Sequence, residues 1–320
     1  MPQRAPRNRT LSLSASESAA YAARCAVFDE KAGIKDGFLN NIVHGDIFAV
    51  SPCLPDNFVD LLIADPPYNL NKNYAKSRFR KMSEADYAAF TEKWLIGLKP
   101  ALKKSASLYV CCDWPGSLIL GSVLNRHFKV RNRITWQREK GRGAVKNWKN
   151  GLEDIWFATV SDDYVFNLES VKIRRRVIAP YRAQGRPKDW TESPAGNFRD
   201  TRPSNFWDDL SVPYWSMSEN TEHPAQKPEK LMARIILASS KAGDVVFDPF
   251  AGSGASLVAA RKLGRQYAGV ERELLYCALA QKRLELATAD PGIQGYADGV
   301  FWERNTSVWQ RRYSPKTDEH

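Results

Sequence analysis

Nothing in the chain suits a membrane span, a metal cluster or a cross-linked scaffold. No apolar run among its 320 residues approaches the ~18 needed to cross a bilayer. The basic start, MPQRAPRNRTLSLSAS, is followed by no apolar core of the kind a secretory signal requires, so a cytoplasmic protein is expected. Only five cysteines (Cys25, Cys53, Cys111, Cys112, Cys277) and four histidines are present. The cysteines are odd in number and form no C-x-x-C pair, which argues against a disulfide framework and a structural zinc site; no metal is expected. No period of solenoid length recurs.

What is abundant is positive charge. Lys+Arg number 47 against 36 Asp+Glu, a net charge of +11. The remaining composition, 43% hydrophobic and 26% charged, is that of an ordinary globular chain. Its length suits two domains of typical size or one large α/β domain carrying insertions. Such a surplus points to a polyanionic partner, nucleic acid or an anionic membrane.

The position of the cations separates these partners. Asn71 to Lys81, NKNYAKSRFRK, has five cations and no acid; Arg126 to Lys149 has nine against one acid, with Trp136 and Trp148 among them. Leu168 to Asn205 has nine against four, broken by Pro180, Pro187, Pro194 and Pro203. Aromatic residues without an amphipathic helix pattern favour a nucleic-acid groove over a membrane surface. The candidate contacts are Lys72, Lys76, Arg78 and Arg80 in the first segment, and Arg138 and Arg142 in the second. The third contributes Arg174, Arg175, Arg176, Arg182 and Arg186.

Elsewhere short apolar runs alternate with helix-like stretches, the pattern of a largely parallel sheet covered by helices. Strands are predicted at Asn41 to His44, Val59 to Ala64, Ser107 to Cys112, Val130 to Trp136, Ile155 to Val160, Val245 to Phe247 and Gln266 to Val270. Helices are predicted at Ser18 to Lys31, Glu84 to Leu98 with Ser83 as N-cap, Ser117 to Asn125, Pro228 to Ser239, Ala255 to Leu263 and Glu273 to Ala287. Between about 161 and 222 the rhythm fails. The expected division is an N-terminal tail and helix start (1–30), a half carrying an acceptor site (31–160), an inserted recognition segment (161–221), a second half of the same domain (222–300) and a C-terminal tail (301–320).

Two strand ends carry chemistry. Val59-Asp-Leu-Leu-Ile-Ala-Asp65-Pro66-Pro67-Tyr68 delivers an acid, two prolines and an aromatic ring to the carboxyl end of a strand, where open α/β sheets bind ligands. The prolines stiffen the loop, so the Asp65 carboxylate and the Pro66 carbonyl become a rigid pair of acceptors beside the flat face of Tyr68. That combination suits an exocyclic amine on a planar heterocycle, N6 of adenine or N4 of cytosine. The second end, Val-Val-Phe-Asp248-Pro-Phe250-Ala-Gly252-Ser253-Gly254, places glycines where backbone can approach a ligand above the next helix. No G-K-[ST] follows, and the full G-x-G-x-x-G fingerprint is not met. Glu271 ends the next strand, 17 residues beyond Gly254, where an acid would hold a ribose diol. A nucleoside without phosphates is therefore the expected ligand.

The pair DPPY (65–68) and DPFAGSG (248–254) resembles the S-adenosylmethionine-dependent amino-methyltransferases of DNA. The order, acceptor loop first, resembles their beta class. The resemblance implies a Rossmann-like fold with circularly permuted motifs, S-adenosylmethionine as cofactor, and double-stranded DNA as partner of a bacterial cytoplasmic monomer or weak homodimer. It assigns catalysis to Asp65, Pro66, Pro67 and Tyr68. The cofactor falls to Asp65, Asp248, Phe250, Gly252, Ser253 and Gly254, to Glu271 with Arg272 beside it, to Asp46 and Ile47 in H-G-D-I, and to His223, Pro224, Ala225 and Lys227 in H-P-A-Q-K-P. Asp at position 65 leans towards adenine, and similarity to one restriction-modification enzyme implies the inner adenine of GAATTC. N4-cytosine or RNA methylation, and an inactive nucleic-acid-binding module, are the competing readings.

The implied reaction can be sized. A hydrogen bond to a charged acceptor contributes ~1.5–3 kcal/mol, short of the ~8 kcal/mol or more an enzyme supplies. In-line positioning of two bound reactants, worth roughly 7–11 kcal/mol, must carry most of the rest. Residues alone leave open whether Asp65 also takes the proton or only orients the amine.

Overall fold

The computed structural model describes residues 5–29, 31–34, 37–138, 146–178, 181–193 and 196–303. A ten-stranded sheet forms its centre. In chain order the strands are β1 (Ala26–Asp29), β2 (Gly33–Ile34), β3 (Asn41–His44), β4 (Val59–Ala64), β5 (Leu102–Cys112), β6 (Lys129–Gln137), β7 (Leu152–Thr159), β8 (Phe206–Trp207), β9 (Val245–Asp248) and β10 (Gln266–Glu271). In space they run β8-β6-β7-β5-β4-β9-β10-β3-β1-β2. Pairing is parallel from β5 through to β1, while β7 is antiparallel to both of its neighbours.

Alternation along the central strands supplies two cores. Leu61, Ile63 and Val246 face one side, with Leu231 and Ile235 of helix α5 (Glu229–Ser239) and Leu257 of α6 (Ala255–Lys262). Leu62, Ala64 and Phe247 face the other, with Trp94 and Leu98 of α3 (Glu84–Leu98) and Leu120 and Val123 of α4 (Trp114–His127). Each such side chain taken fully from water is worth ~1.5–3 kcal/mol. Helix α3 starts where the sequence predicts: Ser83 Oγ accepts from the Asp86 N–H at 3.1 Å. Helix α7 (Leu274–Ala289) completes the layer beside α6.

Three expectations are corrected. The predicted helix from Ser18 to Lys31 is instead α1 (Ala15–Ala22) followed by β1, because Ala26 pairs with Val43 and is wholly buried at the sheet edge; tertiary pairing overrides helix propensity. The irregular stretch after 161 contains a second sheet, in the order Thr191–Ser193, Gly196–Thr201, Ile173–Arg176, Val300–Trp302, Tyr296–Ala297. The strand Val300–Trp302 thus takes in the first two residues of the expected tail, and Phe301 and Trp302 are fully buried. Buried Asp209 accepts from Arg234 (2.6 Å) and Lys230 (3.1 Å) of α5, tying this segment to the main domain. No helix among the described residues is long and apolar enough to cross a membrane.

Candidate active site

The sheet order places four strand tips side by side. β4 and β9 are neighbours, with Val246 opposite Leu61, and β10 and β3 follow. Their carboxyl ends therefore deliver Asp65, Asp248, Glu271 and Asp46 along one rim. Both chemistry-bearing loops open onto a single cavity of about 600 Å³. Because β7 runs the other way, its amino end reaches the same rim and brings Glu153 into the wall.

The acceptor side is a closed polar network. Lys227 Nζ lies 2.7 Å from Asp65 Oδ2, 3.2 Å from the Tyr68 hydroxyl and 3.3 Å from Glu153 Oε2. The Tyr68 hydroxyl donates to Glu153 Oε2 at 3.1 Å, and Arg138 Nη1 donates to Glu153 Oε1. Burial works against the Lys227 charge, but the carboxylates of Asp65 and Glu153 outweigh it and hold the ammonium well above the usual lysine range. Burial, with the charges of Asp65 and Glu153, pushes the Tyr68 phenol far up, so it stays protonated. The other oxygen of Asp65, Oδ1, is buried and has no hydrogen-bond partner among the described residues. The Tyr87 hydroxyl donates to the Pro67 carbonyl at 3.0 Å and braces the loop from behind.

The opposite side is a glycine cradle. Gly252 has φ +52°, and a Cβ there would lie 3.0 Å from the His223 ring. Its N–H donates to Glu271 Oε2 (2.8 Å), while Glu271 Oε1 accepts from Glu273 N–H (2.7 Å). Burial raises the Glu271 carboxyl to about 7 against these bonds. Asp248 accepts from Phe250 N–H (3.0 Å) and from the Ser256 hydroxyl; burial raises it to about 7 as well. His223 Nδ1 accepts from Ala225 N–H (3.3 Å), and burial with the Lys72 and Lys227 charges lowers the ring to about 3, so it is neutral. Asp46 caps a short helix, α2 (Ile47–Val50), through Phe48 N–H and lies 3.8 Å from Arg272.

Most of the residues expected at the site meet here. Asp46, Ile47, Asp65, Pro66, Pro67, Tyr68, His223 and Ala225 line the cavity, as do Lys227, Asp248, Phe250, Gly252, Ser253, Glu271 and Arg272. Pro224 and Gly254 do not. Pro224 is exposed, and Gly254 (φ +76°) packs on α7, where a Cβ would meet Ala280 at 2.8 Å. Lys227, expected on the cofactor side, belongs instead to the acceptor network. Glu153 was not legible, although two adjacent acids in the apolar run LEDIWFAT were the available signal.

The cations divide. Lys72, Arg78 and Arg80 line the cavity, and Lys76 sits beside them in the turn of a hairpin pairing Lys72–Asn73 with Arg78–Phe79. That hairpin crosses to the cradle: Lys76 N–H donates to Glu273 (3.0 Å) and Ala75 N–H to the Tyr276 hydroxyl (3.2 Å). By contrast Arg174 is bidentate on Asp200 (2.7 Å each), Arg175 pairs with Glu303 (3.2 Å) and Arg182 with Glu192 (3.1 Å). Arg176 lies on the same strand as Arg174 and Arg175, and Arg186 is exposed in a separate short hairpin. Arg142 lies outside the described residues.

A doubly wound sheet whose carboxyl rim holds an aspartate-proline-proline-tyrosine loop against a glycine cradle defines a nucleoside-dependent group-transfer enzyme. The family profile described as DNA methylase matches residues 59–282, and the chain belongs to this N6/N4 DNA methylase family. It is 32% identical over 254 residues to the DNA adenine methyltransferase YhdJ of Escherichia coli (strain K12), covering 77% of this chain and 83% of that one. It is 30% identical over 235 residues to the type II methyltransferase M.HpaI of Haemophilus parainfluenzae, covering 72% and 70%. The fold is shared with the M1.HpyAVI–SAM complex (TM-score 0.51, 21% identity, 76% of this chain and 98% of that one). It is shared too with the cytosine-N4-specific PvuII DNA methyltransferase (TM-score 0.55, 15% identity, 78% and 92%).

Proposed function

We propose that the chain transfers a methyl group from S-adenosylmethionine to the N6 amine of adenine in double-stranded DNA, with the target base turned out of the duplex. The observation that carries this reading is a single cavity walled on one side by Asp65, Pro66, Pro67 and Tyr68 and on the other by the glycine cradle. A buried carboxylate oxygen with an open lone pair suits an amine hydrogen. The cradle suits a sulfonium nucleoside: Gly252 leaves room that a Cβ would fill, and the carboxylates of Glu271 and Asp46 suit ribose hydroxyls and positive charge. When bound, S-adenosylmethionine supplies a methyl group already activated by its positive sulfur. Asp65 and the Pro66 carbonyl draw the N6 hydrogens and turn the nitrogen lone pair towards that methyl. The ring of Tyr68 stacks on the extruded base, offsetting part of the few kcal/mol that extrusion costs.

Adenine is favoured by Asp65 and by the likeness to an adenine methyltransferase, and a place in a restriction-modification system by the likeness to M.HpaI. The motif order is that of the beta class. A resemblance along most of the chain to the RsrI methyltransferase is the sole ground for GAATTC as the site. Incubation with tritiated cofactor and DNA, followed by nucleoside analysis, is expected to yield N6-methyladenine. Label in N4-methylcytosine, or in RNA alone, would overturn the assignment.

We assign the phosphates around the vacated base to the hairpin, whose Lys76, Arg78 and Arg80 have no ion partner among the described residues. The paired Arg174, Arg175 and Arg182 brace the recognition segment and contribute less. Neutralising Lys76, Arg78 and Arg80 together is expected to weaken DNA binding and to flatten the log Kd against log salt slope by roughly 2 to 3, at ~0.9 per contact. A titration series giving an unchanged slope would reject the hairpin.

A further inference from the structure

The glycine cradle meets the segment 219–229 at the cavity, where a Cβ on Gly252 would lie 3.0 Å from the His223 ring. The same two walls are joined a second time by Arg283 of α7, a side chain only 4% exposed that does not line the cavity. One arm of its guanidinium, Nη1, donates to the Ser253 carbonyl at 2.7 Å and lies 3.4 Å from Ser253 Oγ; the other, Nη2, donates to Glu229 Oε1 at 2.7 Å. Glu229 in turn accepts from Lys262 Nζ (2.9 Å), and its N–H donates to Glu219 Oε2 (2.7 Å). The segment between these two glutamates is closed on itself. Gln226 Nε2 donates to the Glu219 carbonyl (2.6 Å), Gln226 Oε1 accepts from Thr221 N–H (3.0 Å), and Thr221 Oγ1 accepts from His223 N–H (3.1 Å).

We infer that Arg283 is a positioning residue for the cofactor: through Ser253 and Glu229 it sets the width of the cleft between the cradle and H-P-A-Q-K-P, and with it the affinity for S-adenosylmethionine. The inference rests on the reading of the cradle as the cofactor site and adds a residue that touches neither reactant. An arginine fork holds its donors in one plane, so acceptors bound to its two arms are fixed relative to one another. Burying a guanidinium is unfavourable unless its arms find acceptors, and here the acceptors come from the two walls of one cavity. Ser253 lines it on one side, and His223, Ala225 and Gln226 on the other. Without Arg283 the Ser253 carbonyl loses its donor, Glu229 keeps only Lys262, and the second tie between the walls is gone.

Calorimetry of the full chain with S-adenosylmethionine, without DNA, tests this. Arg283→Met is expected to raise the cofactor Kd by about 10- to 100-fold, the range for a hydrogen bond to a charged group, while kcat at saturating cofactor falls only a few-fold. Arg234→Met is the matched control. Arg234 is equally buried and bidentate on Asp209 (2.9 and 2.6 Å), and neither residue lines the cavity. Each methionine variant leaves its carboxylate with one lysine, Lys262 on Glu229 and Lys230 on Asp209. The control is therefore expected to lower the denaturation midpoint comparably without raising the cofactor Kd. Combining Glu229→Gln with Arg283→Met should weaken binding by less than the product of the two single effects, because the pair acts as one tie. Arg283→Lys, a point charge that cannot hold both acceptors, should lie between wild type and Arg283→Met, and it replaces the methionine variant if that fails to fold. A wild-type Kd in the Arg283 variants, an equal rise in Arg234→Met, or full additivity with Glu229→Gln would overturn the proposal. Failure of the wild-type chain to bind S-adenosylmethionine is a separate result that would sink the reading of the cradle itself.

Discussion

Replacing Asp65 by alanine is expected to lower kcat by at least about 100-fold, the upper part of the range for one hydrogen bond to a charged acceptor, while cofactor affinity changes only a few-fold. Two consequences of the geometry add up here. The variant loses the Oδ1 acceptor for the amine hydrogen, and it loses the partner that holds Lys227 Nζ at 2.7 Å. The cradle does not depend on that carboxylate. Gly252 N–H is held by Glu271, and Phe250 N–H by Asp248, both on strands with their own pairing. Asp65→Asn keeps an oxygen but not its charge and should fall between the two. Tritium transfer measures kcat and calorimetry measures cofactor binding. Near-normal turnover in the alanine variant would remove Asp65 from the reaction.

The second large effect is on stability. Lys227→Met leaves Asp65 and Glu153 without their shared cation, and the Glu153 side chain is only 4% exposed. Removing one partner of a buried ion pair costs about 3–5 kcal/mol. Arg138 still pairs with Glu153, so the lower end is expected, with a matching fall in the denaturation midpoint and a large loss of kcat. Adding Asp65→Asn to Lys227→Met removes the carboxylate left without its cation and should return part of the stability. A double variant less stable than the sum of the two singles would contradict this account. The sign with pH follows from the raised Lys227 value. Its contribution is complete below the ordinary lysine range of about 10.4 and is lost only as pH rises through the higher folded value, so the variant's deficit persists through neutral pH.

The Lys227 prediction could not have been framed from the sequence, and the reason is physical. H-P-A-Q-K-P reads as a helix entry near the cofactor, yet the Lys227 side chain reaches across 162 residues to Asp65. Glu153 enters because β7 runs antiparallel, and strand direction leaves no trace in the run LEDIWFAT. The arginines of the recognition segment were countable but not their partners: Asp200 faces Arg174 because their strands pair in register, and Glu303 lies beside the C-terminal strand joined to the same sheet. Short strands whose apolar partners sit over a hundred residues away carry too little local pattern to be seen.

By contrast, β4 from Val59 to Ala64, α3 from Glu84 to Leu98 with its Ser83 cap, and the two loops at 65–68 and 248–254 were legible as they stand in the fold. Each is specified by neighbours within a few residues: an apolar run, a capping hydroxyl, prolines that fix φ, glycines that permit it. The sequence by itself thus determined these locally specified elements, the two loops and the kind of ligand they suit. Only the tertiary structure decided that the loops share one cavity, that Lys227 grips one oxygen of Asp65, and that Arg138 and Glu153 join the same polar network. Those outcomes depend on which strands lie side by side and in which direction, a choice made by burial and pairing across the whole chain.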